Sequence, residues 1–212
     1  MFYKSQDIIN SKNVRFSIIQ YANSLPLYPE KELAESEFKR YLEAKSRKRK
    51  LEIYYSAVLW NQFQTDDNIT YSNIGSPEIN SGFVSKSHCA QQVGILASND
   101  CSFGIDLEAV NPKTHKIIHK YVHEDERKKF DMESTIQLTK IWSIKEATFK
   151  FLKLEGVFFA KMLCVSNMDN NEASIVVDHP KYKGVLAVKL WKSADNSMIY
   201  SLVGKPEDIS TL

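Results

Sequence analysis

Glycine, proline and cysteine are all scarce in this 212-residue sequence, at 7, 6 and 3 residues respectively. So little glycine and proline excludes a collagen-like or low-complexity chain, whose composition depends on them. The three cysteines, Cys89, Cys101 and Cys164, are odd in number and have no C-x-x-C spacing. Neither a disulfide framework nor a zinc ribbon is expected from them, and reduced thiols are the simplest reading. No apolar run approaches the roughly 18–20 residues that cross a bilayer. The opening Met1 to Asp7 also lacks the charged-then-apolar order of a secretory signal, so a cytoplasmic protein with no membrane partner is expected. An excess of charge of one sign is missing too: 28 basic against 26 acidic residues leave a formal +2. That balance is too mild for a nucleic-acid coat, which needs a concentrated basic surface.

What is present is the material of a soluble fold. A hydrophobic fraction of 43% beside 25% charged residues can bury a core without staples. The length allows one large domain or two halves of about 100 residues.

Alternation around Val14 to Tyr21 predicts a strand. Apolar positions from Leu33 to Phe63 recur at helical spacing and predict two helices or one broken one. The basic run Lys45-Ser46-Arg47-Lys48-Arg49-Lys50 lies inside that region. Residues 66–81, rich in Asp, Asn, Ser, Gly and Pro, predict irregular backbone with a turn at Gly75-Ser76-Pro77. Strand-like pieces follow over 82–87, 92–97 and 101–110, with Asn99-Asp100 as the turn expected to pair the last two as a hairpin. Helices are expected over 114–129 and 134–154, the second closed by Gly156. Strands are expected over 162–166, 173–178, 184–191 and 197–204. Each half reads as strand, helices, strands, which places a division near residue 100.

Two strings carry chemistry. In Gly104-Ile105-Asp106-Leu107-Glu108 the acids alternate with apolar residues, so a strand turns Asp106 and Glu108 to one face. In Trp142-Ser143-Ile144-Lys145-Glu146-Ala147-Thr148-Phe149-Lys150, Glu146 and Lys150 lie four apart, on one helical face. Three carboxylates and a lysine suit Mg²⁺ bound to substrate phosphates, because that ion takes few carboxylates and completes its shell with phosphate and water. Phosphoryl-type transfer is the chemistry they point to.

Taken together, the basic helix, the Gly-x-Pro turn, Ser87-His88, Gly-Ile-Asp-x-Glu and Trp-x-x-Lys-Glu-x-x-x-Lys resemble, in order, the 4′-phosphopantetheinyl transferases, and among them the Sfp-type group that acts as a single chain. The resemblance covers about residues 40 to 160. It implies an α+β fold of two pseudo-symmetric subdomains, each a small, three-stranded antiparallel sheet packed on a long helix. Residues 1–100 would contact the coenzyme A nucleotide, and residues 101–212 would hold the metal site and catalytic helix. The activity implied is transfer of phosphopantetheine from coenzyme A to an acyl or peptidyl carrier protein by a monomer, without nucleic acid or membrane.

By the same resemblance Asp106, Glu108 and Glu146 hold Mg²⁺. Lys150 donates a proton or charge to the leaving phosphate, and Lys145 is a second phosphate ligand. Glu126 and Glu146 are the two contenders for the base that activates the carrier serine. Ser87 and His88 meet the coenzyme A 3′-phosphate, with Arg47, Lys48 and their basic neighbours; which of the four faces inward is open. Two departures stand out. Ser76 occupies a position where relatives carry a cation, a loss that would weaken coenzyme A binding unless Lys86 compensates, and Cys89 stands where they carry serine. Trp142, Phe149 and Phe151 are expected in the core. The other readings are a non-catalytic binder of coenzyme A or carrier protein, and a metal-dependent nuclease. The nuclease is disfavoured because the D/E-x-K spacing of such sites is missing.

Overall fold

The computed structural model describes residues 3–212. The chain divides into two compact units, Met1–Asp100 and Cys101–Leu212. The architecture is α+β, antiparallel sheets with helices packed on them, as expected.

In the first unit β1 (Tyr3–Asn10) and β2 (Val14–Tyr21) pair antiparallel, and after α1 (Glu35–Glu43) and α2 (Arg47–Asn61) comes a short pair, β3 (Thr70–Tyr71) and β4 (Pro77–Glu78). The strands β5 (Phe83–Cys89) and β6 (Gln92–Ser98) complete a four-stranded sheet in the order β1-β2-β6-β5. Ser46 caps α2 by accepting from the Arg49 amide, which explains why the helix starts inside the basic run. Leu51, Tyr55, Val58 and Leu59 then form its apolar stripe, packed with Ile19, Val93 and Ile95 of the sheet.

The second unit opens with β7 (Gly104–Ala109), followed by three short helices, α3 (Lys113–Lys116), α4 (Ile118–Tyr121) and α5 (Glu124–Lys129), and the long α6 (Thr135–Leu152). The short α7 (Phe159–Met162) leads into β8 (Leu163–Met168), β9 (Glu172–His179), β10 (Tyr182–Lys192) and β11 (Met198–Gly204), and α8 (Pro206–Ile209) ends the unit. Its five-stranded sheet runs β7-β11-β10-β9-β8. Leu138, Ile141, Ile144 and Ala147 of α6 are fully buried in a core shared with Leu163, Val165, Ile175 and Val188.

Several expectations need correction. The sheets have four and five strands, not three. The expected hairpin between residues 92–97 and 101–110 is not formed: β6 pairs with β2 and β5, whereas β7 pairs with β11. The hairpin is β5–β6, turned by Ala90 and Gln91, both at positive φ (46° and 62°). That is the primed-turn conformation normally signalled by Asn-Gly, so the sequence carried no sign of it. The single helix expected over 114–129 is three short ones. Lys153, not Gly156, closes α6 in the left-handed conformation, φ 49°. Among the described residues no helix is long and apolar enough to cross a membrane.

Candidate active site

The edge strand β7 lies beside α6 at unusually short range. A methyl group on Gly104 would overlap the Ala147 carbonyl oxygen and crowd the Phe151 amide, so only glycine permits this approach. The approach sets the strand's acids beneath the helix. Trp142, Glu146 and Lys150 follow one another at four-residue steps and so share the face of α6 that meets them. Lys150 Nζ donates to Asp106 Oδ1 at 2.7 Å, and Trp142 Nε1 donates to Glu108 Oε1 at 2.9 Å. On the neighbouring strand the buried Ser201 hydroxyl donates to Ser143 at 2.9 Å, fastening β11 to the same helix.

Glu146 sits between these pairs. Burial pushes its carboxyl up from 4.5 to about 7, the charges of Asp106 and Glu108 add to the rise, and Lys150 opposes it. A carboxyl poised near neutrality can take up and release a proton under ordinary conditions. The sequence-derived set Asp106, Glu108, Glu146 and Lys150 is therefore one electrostatically coupled group.

Two other expected site residues are placed elsewhere. Lys145 precedes Glu146, about 100° around the helix, and is fully buried with Glu126, at 2.7 Å between Nζ and Oε2. Lys145 also donates to the backbone carbonyls of Tyr121 (2.6 Å), Leu163 (2.7 Å) and Phe159 (3.4 Å). Glu126 accepts from the amides of His123 and Val165, each at 2.6 Å. The pair thus ties α4, α5, α7 and β8 to α6. Neither side chain is open to a substrate: Glu126 is not placed as a solvent-reaching base, nor Lys145 as a phosphate ligand. The Lys145 ammonium is driven down by desolvation, which Glu126 partly offsets. Phe149, expected in the core, is instead 40% exposed, while Trp142 and Phe151 pack against the core.

The first unit has its own cleft, of about 160 Å³, lined among others by Arg40, Arg49, Glu52, Tyr71, Lys86, Ser87 and His88. Arg49 is the member of the basic run that reaches it. Arg47 instead donates to the Asn23 carbonyl at 2.6 Å, and Lys48 is largely exposed, 3.8 Å from Glu52. Gly75 and Pro77 border the cleft, and Lys86 donates to the Tyr71 hydroxyl there at 2.8 Å. A cation is thus present beside the turn that lacks one. Arg40 stacks over the same Tyr71 ring at 3.6 Å. Glu52 belongs to none of the sequence motifs, although its spacing from Lys48 and Arg49 is that of a helical ion pair.

Among the described residues no three histidine, cysteine, aspartate or glutamate side chains come together as a cage for a metal ion. The donor chemistry of Asp106, Glu108 and Glu146 nonetheless fits magnesium, which is usually bound through one or two carboxylates plus substrate phosphates.

Residues 102–194 match the 4′-phosphopantetheinyl transferase superfamily. The match supports that superfamily. It spans β7, α6 and most of the second sheet, and so contains every residue of the coupled group. Phosphopantetheine transfer, with coenzyme A as substrate, is the superfamily's activity in general, and a transferase is what the match supports. No individually curated protein matches the chain.

Proposed function

We propose that this chain is a magnesium-dependent 4′-phosphopantetheinyl transferase of the single-chain, Sfp-type group, acting in the cytoplasm as a monomer. It moves the phosphopantetheine arm of coenzyme A to a serine of an acyl or peptidyl carrier protein and releases 3′,5′-ADP. The observation that carries this reading is the pairing of Glu146 and Lys150 on α6 with Asp106 and Glu108 of β7, inside the segment that matches the superfamily.

The serine oxygen forms a bond to the phosphorus that bears the pantetheine arm, and the bond from that phosphorus to the bridging oxygen breaks, its electron pair leaving with 3′,5′-ADP. Glu146 takes the serine proton. With Glu126 enclosed by Lys145 and two amides, Glu146 is the carboxylate of the two candidates that retains this role. Lys150, one turn along, gives an N–H to the leaving phosphate and offsets its charge. Asp106 orients Lys150 through their 2.7 Å contact. Trp142 steadies Glu108. Asp106, Glu108 and Glu146 would hold the magnesium ion, which would supply Lewis-acid neutralisation of the pyrophosphate charge. The first unit holds the nucleotide end of coenzyme A at the cleft of Arg49, Ser87 and His88.

Intact-mass measurement of apo carrier proteins after incubation with this protein, coenzyme A and Mg²⁺ tests the reading. One phosphopantetheine should be added, and EDTA should abolish the addition. Binding of coenzyme A with no transfer to any of a broad carrier panel would replace it with the non-catalytic reading.

A further inference from the structure

Glu52 is a carboxylate where a phosphate-binding cleft has least use for one. It lies on α2, is 6% exposed, and lines the same cleft as Arg49 and His88. His88 Nε2 stands 2.8 Å from one of its oxygens, and Arg49 donates to that oxygen at 3.1 Å. A buried carboxyl left alone would be pushed up by desolvation. The bonds and charges of His88 and Arg49 outweigh that cost and hold Glu52 below its ordinary range, so it is an anion in the fold.

A charged acceptor shared by an imidazole and a guanidinium fixes both donors at once. The contact engages one ring nitrogen of His88, which leaves Nδ1 as the nitrogen directed elsewhere. It engages one terminal nitrogen of Arg49, which leaves the rest of the planar fork for another anion. Two long or rotatable side chains are thereby held in one geometry before a ligand arrives, and the ordering entropy is met in advance.

We propose that Glu52 is a positioning residue: it aims His88 and Arg49 at the 3′-phosphate of coenzyme A, and through them sets the preference for coenzyme A over dephospho-coenzyme A, which carries a hydroxyl there. The proposal rests on the transferase reading above. The gain from pre-aiming two charge-assisted donors exceeds the repulsion between Glu52 and the phosphate, because the two anions are separated by the Arg49 guanidinium and the imidazole they share.

The test is calorimetric binding of coenzyme A and of dephospho-coenzyme A to the full chain and its Glu52→Gln variant. Glutamine keeps the shape of the site but removes the charge. Coenzyme A should bind about tenfold more weakly and dephospho-coenzyme A within about twofold of the parent. Glu52→Asp keeps the charge but withdraws it by one methylene, and should show the same selective loss; it serves if the glutamine variant does not fold. In a His88→Gln background the Glu52→Gln change should cost less than it does alone, since the two act together. Equal weakening of both ligands would make Glu52 merely structural and overturn the proposal. Unchanged or tighter coenzyme A binding would overturn it as well. Failure of the parent protein to bind either ligand would instead overturn the transferase reading, and appears before any variant is made.

Discussion

At the scale of single residues, the site turns on how a carboxyl and a lysine four positions apart are treated by their surroundings. Glu146 is raised by burial and by the acids of β7, so its ionised form is the one the fold disfavours. The sign follows: this group's contribution to stability is complete below the ordinary carboxyl value of 4.5 and is lost as pH rises through about 7. Thermal melts recorded without divalent cations should therefore fall between pH 5 and about 7.5. Glu146→Gln should flatten that part of the profile. Added Mg²⁺ should raise the melting temperature more at the alkaline end than at the acid end, because a cation binds the ionised form. An identical pH profile in the parent and the Gln variant would count against the assignment.

Lys145, next to Glu146, makes the opposite case. Its partner Glu126 and three carbonyls leave it a structural cation with no exposed surface. Lys145→Met strands a buried carboxylate and should cost about 3–5 kcal/mol in urea unfolding, whereas Lys145→Met with Glu126→Leu should recover much of that loss. Glu126→Gln should lower stability first. A large loss of turnover with stability unchanged would return Glu126 to the role of base.

At the scale of elements, the meeting of β7 and α6 decides whether there is a site. Asp106 is buried on a strand paired with β11, opposite Ser201, and the helix lies close enough that Gly104 has no room for a side chain. Gly104→Ala must push strand and helix apart or shift the Ala147 turn. About 3 kcal/mol of stability should be lost, and transfer activity should fall beyond the loss of folded protein, because the Asp106–Lys150 contact spans the same gap. A fully active, undestabilised variant would show that the close approach is dispensable. The element boundaries explain which expectations failed. The β5–β6 turn uses Ala90 and Gln91 in a conformation that neither residue advertises, whereas Asn99-Asp100 has the usual turn residues but joins strands of different sheets. The expected single helix after Pro112 divides because its middle residues turn between separate caps: His123 accepts from the Asp125 amide while Glu126 accepts from the His123 amide.

At the scale of the whole molecule, the strings of alternating acids and of helically spaced Glu and Lys were enough to name Asp106, Glu108, Glu146 and Lys150 before any contact was known. Period 2 and period 3.6 are properties of local backbone, and four residues that obey them face where the period sends them. The α+β class, the strand at Val14–Tyr21, the α6 span and the mild charge were legible for the same reason. What lay across the chain was not. The sequence could not distinguish Lys145 from Lys150, since both are lysines on one helix within a single motif. Their difference is a turn of about 140° about the helix axis, which leaves one partly exposed beside the Asp106 of β7 and sends the other into a closed shell of carbonyls around Glu126. Nor could it select Arg49 from four neighbouring basic residues, or pair Glu52 with a histidine 36 positions later on another element. Local periodicity determined which residues could share a face; only the packing of helix against sheet decided which of those faces met solvent, which met a partner, and which were sealed, because desolvation and charge pairing depend on neighbours that are distant in sequence.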